Sequence, residues 1–393
     1  MEQRNNVRIW GLEGMDANTI LQAEKTGRCP ILAGPVALMP DAHLGIGATV
    51  GSVIVTNDAL IPAAVGVDIG CGMIAVQTDL RADALPMELQ PLVQQFGRSI
   101  PSGVGRGRDT QSSGLSDKAQ TQRAQAWMDA HPHTLTDKLR ETAFAQLGTL
   151  GSGNHFLETC LDNDGMDGEG RVWVVLHSGS RGVGNQLANQ HIKRARDQKQ
   201  GLEDPDLSYF TKGQESFDAY LYDMLWAQEY AYANRELMMT AALEDLFAFV
   251  EGGHEVTRIN CHHNFAAQET HGGRTVWVTR KGAIRAQVGD SGIIPGSMAT
   301  GTFITTGRGN LYSYNSSSHG AGRKLSRGAA KKQFTVESLN GLMAGKAWNS
   351  DQAQSLLDEH PDAYKDILAV MEAQADLTQP VHTLHQVLNY KGI

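Results

Sequence analysis

Between Glu215 and Val250 the apolar side chains recur at helical spacing. Phe217, Tyr220, Leu221, Met224 and Leu225 stand at i, i+3, i+4, i+7 and i+8, which predicts a helix with these residues in the core. A shorter helical pattern runs through "MDANTILQAEKTGR" and is stopped by Gly27 and Pro30. Residues 36–78 differ: Val, Ile and Gly dominate and charges are few, predicting buried strands joined by tight glycine turns. "RVWVVLHSGSRGVGN", residues 171–185, predicts a strand and then a glycine turn, with His177 just past the strand's end. "RTVWVTRKGAIRAQVG" returns to strand, and the last sixty residues read as mostly helical, with a capping-type start at "TVESLNGLM". The polar, glycine-rich, aperiodic segment 101–118 predicts a mobile surface loop. Helices and strands mix without a regular βαβ rhythm. This predicts an α+β fold; the length allows one large domain or two to three ordinary ones, and no composition break cleanly cuts the chain.

Hydrophobic residues make up 41% of the chain, enough for a sizeable core. No run of eighteen apolar residues occurs, so no membrane-spanning helix is expected. The start, "MEQRNNVRIW", lacks the apolar stretch of a secretory leader, so a cytoplasmic location is expected. The four cysteines are scattered with no C-x-x-C pair, which favours free thiols or ligands over a disulfide framework. A net charge of -9 argues against a surface coated in nucleic acid. Local basic runs exist all the same. "GAGRKLSRGAAKKQF" carries Arg323, Lys324, Arg327, Lys331 and Lys332 with no acid, and "HIKRARDQK" follows Gly184 closely. Taken alone, such runs are usually solvated helix faces.

Chemistry concentrates in the glycine-rich stretches. In "PAAVGVDIGCGM", Asp68 and Cys71 stand among Gly66, Gly70 and Gly72, whose freedom lets the backbone approach a ligand closely. A metal or a reactive thiol fits that pattern. Of fourteen histidines, His43, His155, His177, His262, His263 and His319 lie in similar weakly charged segments. Imidazoles in apolar, tightly turned backbone are costly unless paired or ligating. His131, His133, His360, His382 and His385 lie in polar or helical surroundings and are expected at the surface. Asp68, Cys71 and three histidines would give a mixed oxygen, sulfur and nitrogen set dispersed along the chain, as in catalytic sites. Five ligands exceed one tetrahedral site, so two ions sharing Cys71 is the economical arrangement, and paired metals suit chemistry at phosphorus. "GVGRG" lacks the lysine–hydroxyl ending of a P-loop, and the glycines after His177 do not follow the dinucleotide-binding order.

In order along the chain, "MPDAHLGIGATVGSVI", "AAVGVDIGCGM", "LGTLGSGNHFLE", "LHSGSRGVGN", "INCHHNF", "RKGAI", "GIIPGSM", "SHGAGRKLSR" and the near-terminal "NYKG" closely resemble the RtcB family of RNA-splicing ligases. The resemblance implies a single ligase domain over residues 1–393, with mixed sheets flanked by helices, that depends on GTP and manganese and joins an RNA 3'-phosphate or 2',3'-cyclic phosphate to a 5'-hydroxyl end in transfer-RNA splicing or RNA repair. It implies that Asp68, Cys71, His155, His177 and His263 hold two Mn2+ ions, with Cys71 bridging them, and that His319 becomes covalently attached to GMP. Asn154, Glu158, Ser297, Thr302 and Lys391 match guanylate contacts, with Gly320, Ala321 and Gly322 beside the phosphate. Arg181, Arg323 and Arg327 match arginines that hold RNA phosphates. Asp41 and His43 lie in a family motif, without an assigned role.

Two positions depart from the family pattern. Ile46 stands where many relatives carry a lysine, which removes a positive charge near the RNA ends, and Thr302 replaces a serine while keeping the hydroxyl. The implied partners are RNA with broken ends and, as often in the family, a small activating protein, archease. A two-metal phosphoesterase or nuclease would use the same ligands without needing His319. A non-catalytic RNA-binding module would need the basic residues but not Asp68 with Cys71. A metal-storage role would leave "SSSHGAGRKLSR" unexplained.

Overall fold

The computed structural model describes residues 1–107, 115–162 and 170–392. Two sheets carry the fold. The smaller orders its strands as Glu2–Arg4, Val7–Ile9, Val36–His43, Val50–Thr56, Arg274–Lys281 and Asn264–His271. The larger runs Glu255–His262, Gly72–Arg81, Arg171–Ser178, Phe156–Asp162, Thr378–Lys391, Thr302–Gly307 and Ser291–Pro295, with Ala347–Trp348 paired alongside Thr378–Lys391. Mixed sheets with packed helices make this an α+β fold, as the uneven alternation of patterns predicts.

Register places the chemistry. In the larger sheet Gly72 pairs with Ser178 and with His262, and Phe156 pairs with both His177 and Lys391. These strands run antiparallel, so Cys71, His155, His177, His263 and Lys391 all fall at one end of the sheet although they are far apart in sequence. His263 is also the corner at which the chain leaves Glu255–His262 and enters Asn264–His271 of the smaller sheet.

The helix Glu215–Phe249 backs this end. Phe217, Tyr220 and Met224 are buried in a core with Val183 and Leu187, as the helical spacing predicts. Leu225 departs from that expectation and is 43% exposed. The helix is more than apolar scaffold. Fully buried Asn234 accepts from the backbone N–H groups of Gly148 and Thr149 and donates to the Gly179 carbonyl. Arg235, also fully buried, donates to the carbonyls of Gly70 and Ser178 and to Asn260. Two polar side chains thus tie down the loops that carry the candidate ligands, where backbone groups would otherwise be buried without partners.

Other expectations need correction. The C-terminal region holds short helices and single turns, including Val336–Leu342 with its capping box at Thr335, but it ends in the fourteen-residue strand Thr378–Lys391. Leu384, Gln386, Leu388 and Tyr390 bury alternate positions there, a period of two that outweighs helical propensity. His177 lies inside its strand rather than past its end. In the predicted loop 101–118, residues 108–114 lie outside the described residues, and 115–118 belong to the helix Leu115–Ala130. His133 and His360 are buried, stacked on Tyr222 and Phe334 at ring separations of 4.3 and 3.9 Å. Polar neighbours in sequence do not prevent an imidazole from packing its flat face against an aromatic ring. Among the described residues, no helix is long and apolar enough to cross a membrane.

Candidate metal centre and nucleotide cavity

The ends of the sheet strands bring the five proposed ligands together. Cys71 Sγ lies 3.3 Å from His177 Nε2 and 3.6 Å from His155 Nε2. His177 Nε2 is 3.3 Å from His263 Nε2, and His155 Nε2 is 3.2 Å from Asp68 Oδ2. All three histidines and Cys71 are buried.

Proton placement makes this cluster chemically specific. His155 Nδ1–H donates to the Leu150 carbonyl at 2.8 Å, and His177 Nδ1–H donates to the Asn154 carbonyl at 3.1 Å. A carbonyl can only accept, so in each neutral ring the Nε2 lone pair faces the cluster. Burial holds His177 and His263 well below the usual imidazole range, reinforced by neighbouring imidazoles. Burial, and then Asp68, push the Cys71 thiol well up. Lone pairs facing one another and a carboxylate at about van der Waals distance repel unless a cation lies among them. The donor set therefore fits a metal ion, whose binding displaces the thiol proton. Asp68 is held by Ser180, whose N–H donates to Oδ1 at 2.9 Å. Gly179 has to be glycine, because a Cβ there would run into the Asp68 carboxylate.

Asp68, Cys71, His177 and His263 line a cavity of about 410 Å³ that also meets Asn154, Glu158, Ser297, His319 and Lys391. His319 is fixed by Asp41, which is fully buried. The imidazole Nδ1–H donates to Asp41 Oδ2 at 2.7 Å, and the same oxygen accepts from the backbone N–H groups of His319 and Gly320. Burial alone would raise the Asp41 carboxyl, but facing His319, with Lys365 and His43, holds it below its ordinary value. With Nδ1 occupied, His319 presents Nε2 as a lone pair. Its ring centre is 4.7 Å from that of His263, so this imidazole borders the metal centre. Gly322, at φ +73°, passes the Asp41 carbonyl so closely that a Cβ would overlap it, which explains the glycine in "HGAGR".

The remaining sequence-predicted residues fall in three groups. Gly320, Ala321 and Gly322 line the cavity, as do Arg323 and Arg327. Thr302 does not; it is buried in its strand with its hydroxyl unpaired. Arg181 lies behind the centre, donating to Thr149 Oγ1 and the Gly103 carbonyl from a backbone at φ +57°, an unusual conformation for a non-glycine residue. His262 turns away from the ligands and bonds to the Gly70 carbonyl.

One acid absent from the sequence reading organises the cations. Glu359, 1% exposed, accepts from Arg323 Nη1 at 3.1 Å and from Arg327 Nη1 through Oε1; Oε2 accepts from Tyr364 Oη at 2.6 Å and Lys391 Nζ at 3.0 Å. No motif announces it: "LLDEHPDAY" has the look of a surface turn. Arg323 is fully engaged, with Nη2 on the Asp358 carbonyl and Nε on the Leu325 carbonyl, whereas Arg327 has 41% of its side chain exposed. Arg323→Ala is therefore expected to lower unfolding free energy by about 3 kcal/mol, because it strips a buried partner from Glu359. Arg327→Ala should cost less than about 1 kcal/mol because solvent screens it. Denaturant midpoints of the two variants check this order. Lys281 was likewise unassigned. It donates to the carbonyls of Ile46 and Ala63 at 2.6 and 2.9 Å and lines the cavity, so an ammonium stands beside Ile46 although that side chain carries no charge. Burial brings its pKa down to about 8.

A buried thiol and imidazole cluster with a carboxylate beside it, opening onto a nucleotide-sized cavity, defines a metal-binding enzyme. The family model described as "tRNA-splicing ligase RtcB" matches residues 22–392, and the chain belongs to the RtcB family. It is 42% identical to the RNA-splicing ligase RtcB of Escherichia coli K12, over 98% of this chain and 97% of that protein. It is 32% identical to the RNA-splicing ligase RtcB of Mycobacterium tuberculosis H37Rv, over 90% and 96%. The tRNA-splicing ligase RtcB of Pyrobaculum aerophilum is 30% identical, over 94% and 91%.

Proposed function

We propose that this chain is a GTP-dependent RNA ligase that joins RNA 3'-phosphate or 2',3'-cyclic phosphate ends to 5'-hydroxyl ends, in transfer-RNA splicing or RNA repair. The observation that carries this reading is the His319–Asp41 pair, which sets an oriented imidazole, Nδ1 engaged and Nε2 turned outward, beside the metal centre in the cavity. A two-metal phosphoesterase or nuclease would not need such a nucleophile. Asp68, Cys71, His155, His177 and His263 would hold two Mn2+ ions; manganese rests on the family resemblance, since a thiolate alone would favour softer ions. When bound, the ions neutralise phosphate oxygens.

His319 Nε2 attacks the α-phosphorus of GTP: a nitrogen–phosphorus bond forms and the bond to pyrophosphate breaks. Asp41 compensates the positive charge that develops on the ring and keeps the proton on Nδ1. Glu158, Asn154, Ser297 and Lys391 hold the guanylate. An RNA 3'-phosphate oxygen then takes GMP from His319, breaking the nitrogen–phosphorus bond. A 5'-hydroxyl oxygen next attacks the activated 3'-phosphorus, losing its proton as GMP departs. A cyclic phosphate is first opened by water. Arg327 holds an RNA phosphate by exchanging part of its contact with Glu359, whereas Arg181 and Arg323, matched to RNA contacts by the resemblance, are engaged by protein groups and fix the surrounding loops. The site draws on residues from Asp41 to Lys391, which supports one ligase domain. Four free cysteines suit a reducing cytoplasm, and an archease-like activator is the family's usual partner.

The test is direct. Purified protein with manganese, GTP and two RNA fragments bearing the stated ends is expected to yield joined RNA, and none without GTP. Joining that proceeds without GTP, or cleavage alone, would remove the reading. A pH dependence follows from Glu158, whose carboxyl burial raises to about 7 against the pull of Lys391. Below that value it is neutral and a poorer acceptor for guanine N–H groups. The KM for GTP is expected to rise as pH falls below about 7. Glu158→Gln should raise KM and flatten this profile.

A further inference from the structure

The helix Arg181–Arg196 begins at the metal centre, where Ser180 N–H meets Asp68; its buried Ile192 lines the cavity, and the helix packs on Pro62–Val65, where the Ala63 carbonyl shares the Lys281 ammonium with the carbonyl of exposed Ile46. It therefore leads from the reacting atoms to the cavity's rim. At about 1.5 Å per residue it reaches about 20 Å from Arg181 to Arg194. Its outer face presents Asn185, Gln186, Asn189, Gln190, Lys193 and Arg194, all exposed. The chain holds 43 acidic against 34 basic residues, yet this helix contains no acid at all. Arg196 is neutralised by Asp206, but among the described residues Lys193 and Arg194 have no ion-pair partner. A face of amides and two cations without an ion-pair partner, with a carboxylate only at Asp197 where the helix ends, matches a polyanion backbone: amides and cations can contact phosphate and ribose oxygens without reading sequence.

We propose that this face holds the backbone of the RNA substrate beyond the reacting nucleotides, as it leaves the cavity past Ile46. The proposal rests on the RNA-ligase reading and names a surface outside the reaction site. The competing account is that Lys193 and Arg194 merely complement the helix C-terminus.

The experiment compares wild type with the double variant Lys193→Ala and Arg194→Ala. Binding of a fluorescent 3'-phosphate RNA of about twenty nucleotides, followed by anisotropy across salt, should weaken roughly tenfold, and the slope of log K against log salt should fall by about 1.4. Joining of long RNAs should lose efficiency through KM, while joining of trinucleotides and formation of the GMP adduct stay as in wild type. Unchanged RNA affinity and salt slope would overturn the proposal. So would an equal loss on long and short RNAs, or a lowered melting temperature with loss of adduct, which is the helix-end account. Absence of RNA binding by wild type would overturn it too. If wild type binds RNA with the expected slope but joins none, the ligase reading falls and this surface stands.

Discussion

Cys71→Ala is expected to abolish RNA joining and remove most of the bound metal while leaving the fold in place. Cys71 is the sole thiol in the cluster, 3% exposed, with its sulfur within 3.6 Å of two imidazole nitrogens. As a free thiol it is held neutral by burial, so its role as a ligand has to come from metal binding that expels the proton. Alanine removes the sulfur but keeps Cβ, and Gly70, Gly72 and Arg235 still fix the loop, so the packing loss should stay near about 1 kcal/mol. His155 and His177 remain oriented by their carbonyl partners and can retain one weakly held ion. Metal analysis after dialysis, read beside the denaturation midpoint, checks both halves. Two tightly held ions in the variant would end the bridging assignment, and a collapsed midpoint would show Cys71 to be structural.

What the sequence disclosed depended on how local the determining physics was. The Glu215–Phe249 helix and the strand at Arg274–Lys281 were legible because period and turn residues act within a few positions. The strand Thr378–Lys391 was not: it pairs with Phe156–Asp162 on one edge and Thr302–Gly307 on the other, and its Leu388 and Tyr390 share a core with Leu92 and Phe96, all remote in sequence. The same split governs the site. Asp68, Cys71, His43, His155, His177, His262, His263 and His319 stood out because glycine-rich turns around polar side chains are costly without a purpose; the family resemblance, not the turns, set the ligands and His319 apart from His43 and His262. Glu359 left no such trace, since its worth lies in three cations supplied by distant segments. Asp41 was visible in its motif, but its task depends on the side chain at His319. His133 and His360 misled because stacking partners, not neighbours in sequence, decide whether an imidazole is buried.

The largest effect is expected at His319, where the nucleotide would be held covalently. Wild-type protein given α-labelled GTP and manganese should carry a GMP adduct that is acid-labile and alkali-stable, the behaviour of a phosphorus–nitrogen bond. His319→Ala should lose the adduct altogether and keep its metal, since the imidazole is fixed by Asp41 rather than by the ligand cluster. This variant should still join RNA supplied with a guanylylated 3' end, because that last step does not use the imidazole as nucleophile. Asp41→Asn separates orientation from nucleophilicity. An amide in place of the carboxylate keeps the shape but withdraws the charge that stabilises the ring as it becomes cationic, and it can donate to Nδ1, driving the proton to Nε2. Adduct formation should slow by about a hundredfold or more, with metal content unchanged. Lys281 and Lys391 line the same cavity and are the alternative nucleophiles. If wild type forms no adduct, if the adduct is alkali-labile or maps to either lysine, or if Asp41→Asn forms it at the wild-type rate, the assignment of His319 fails.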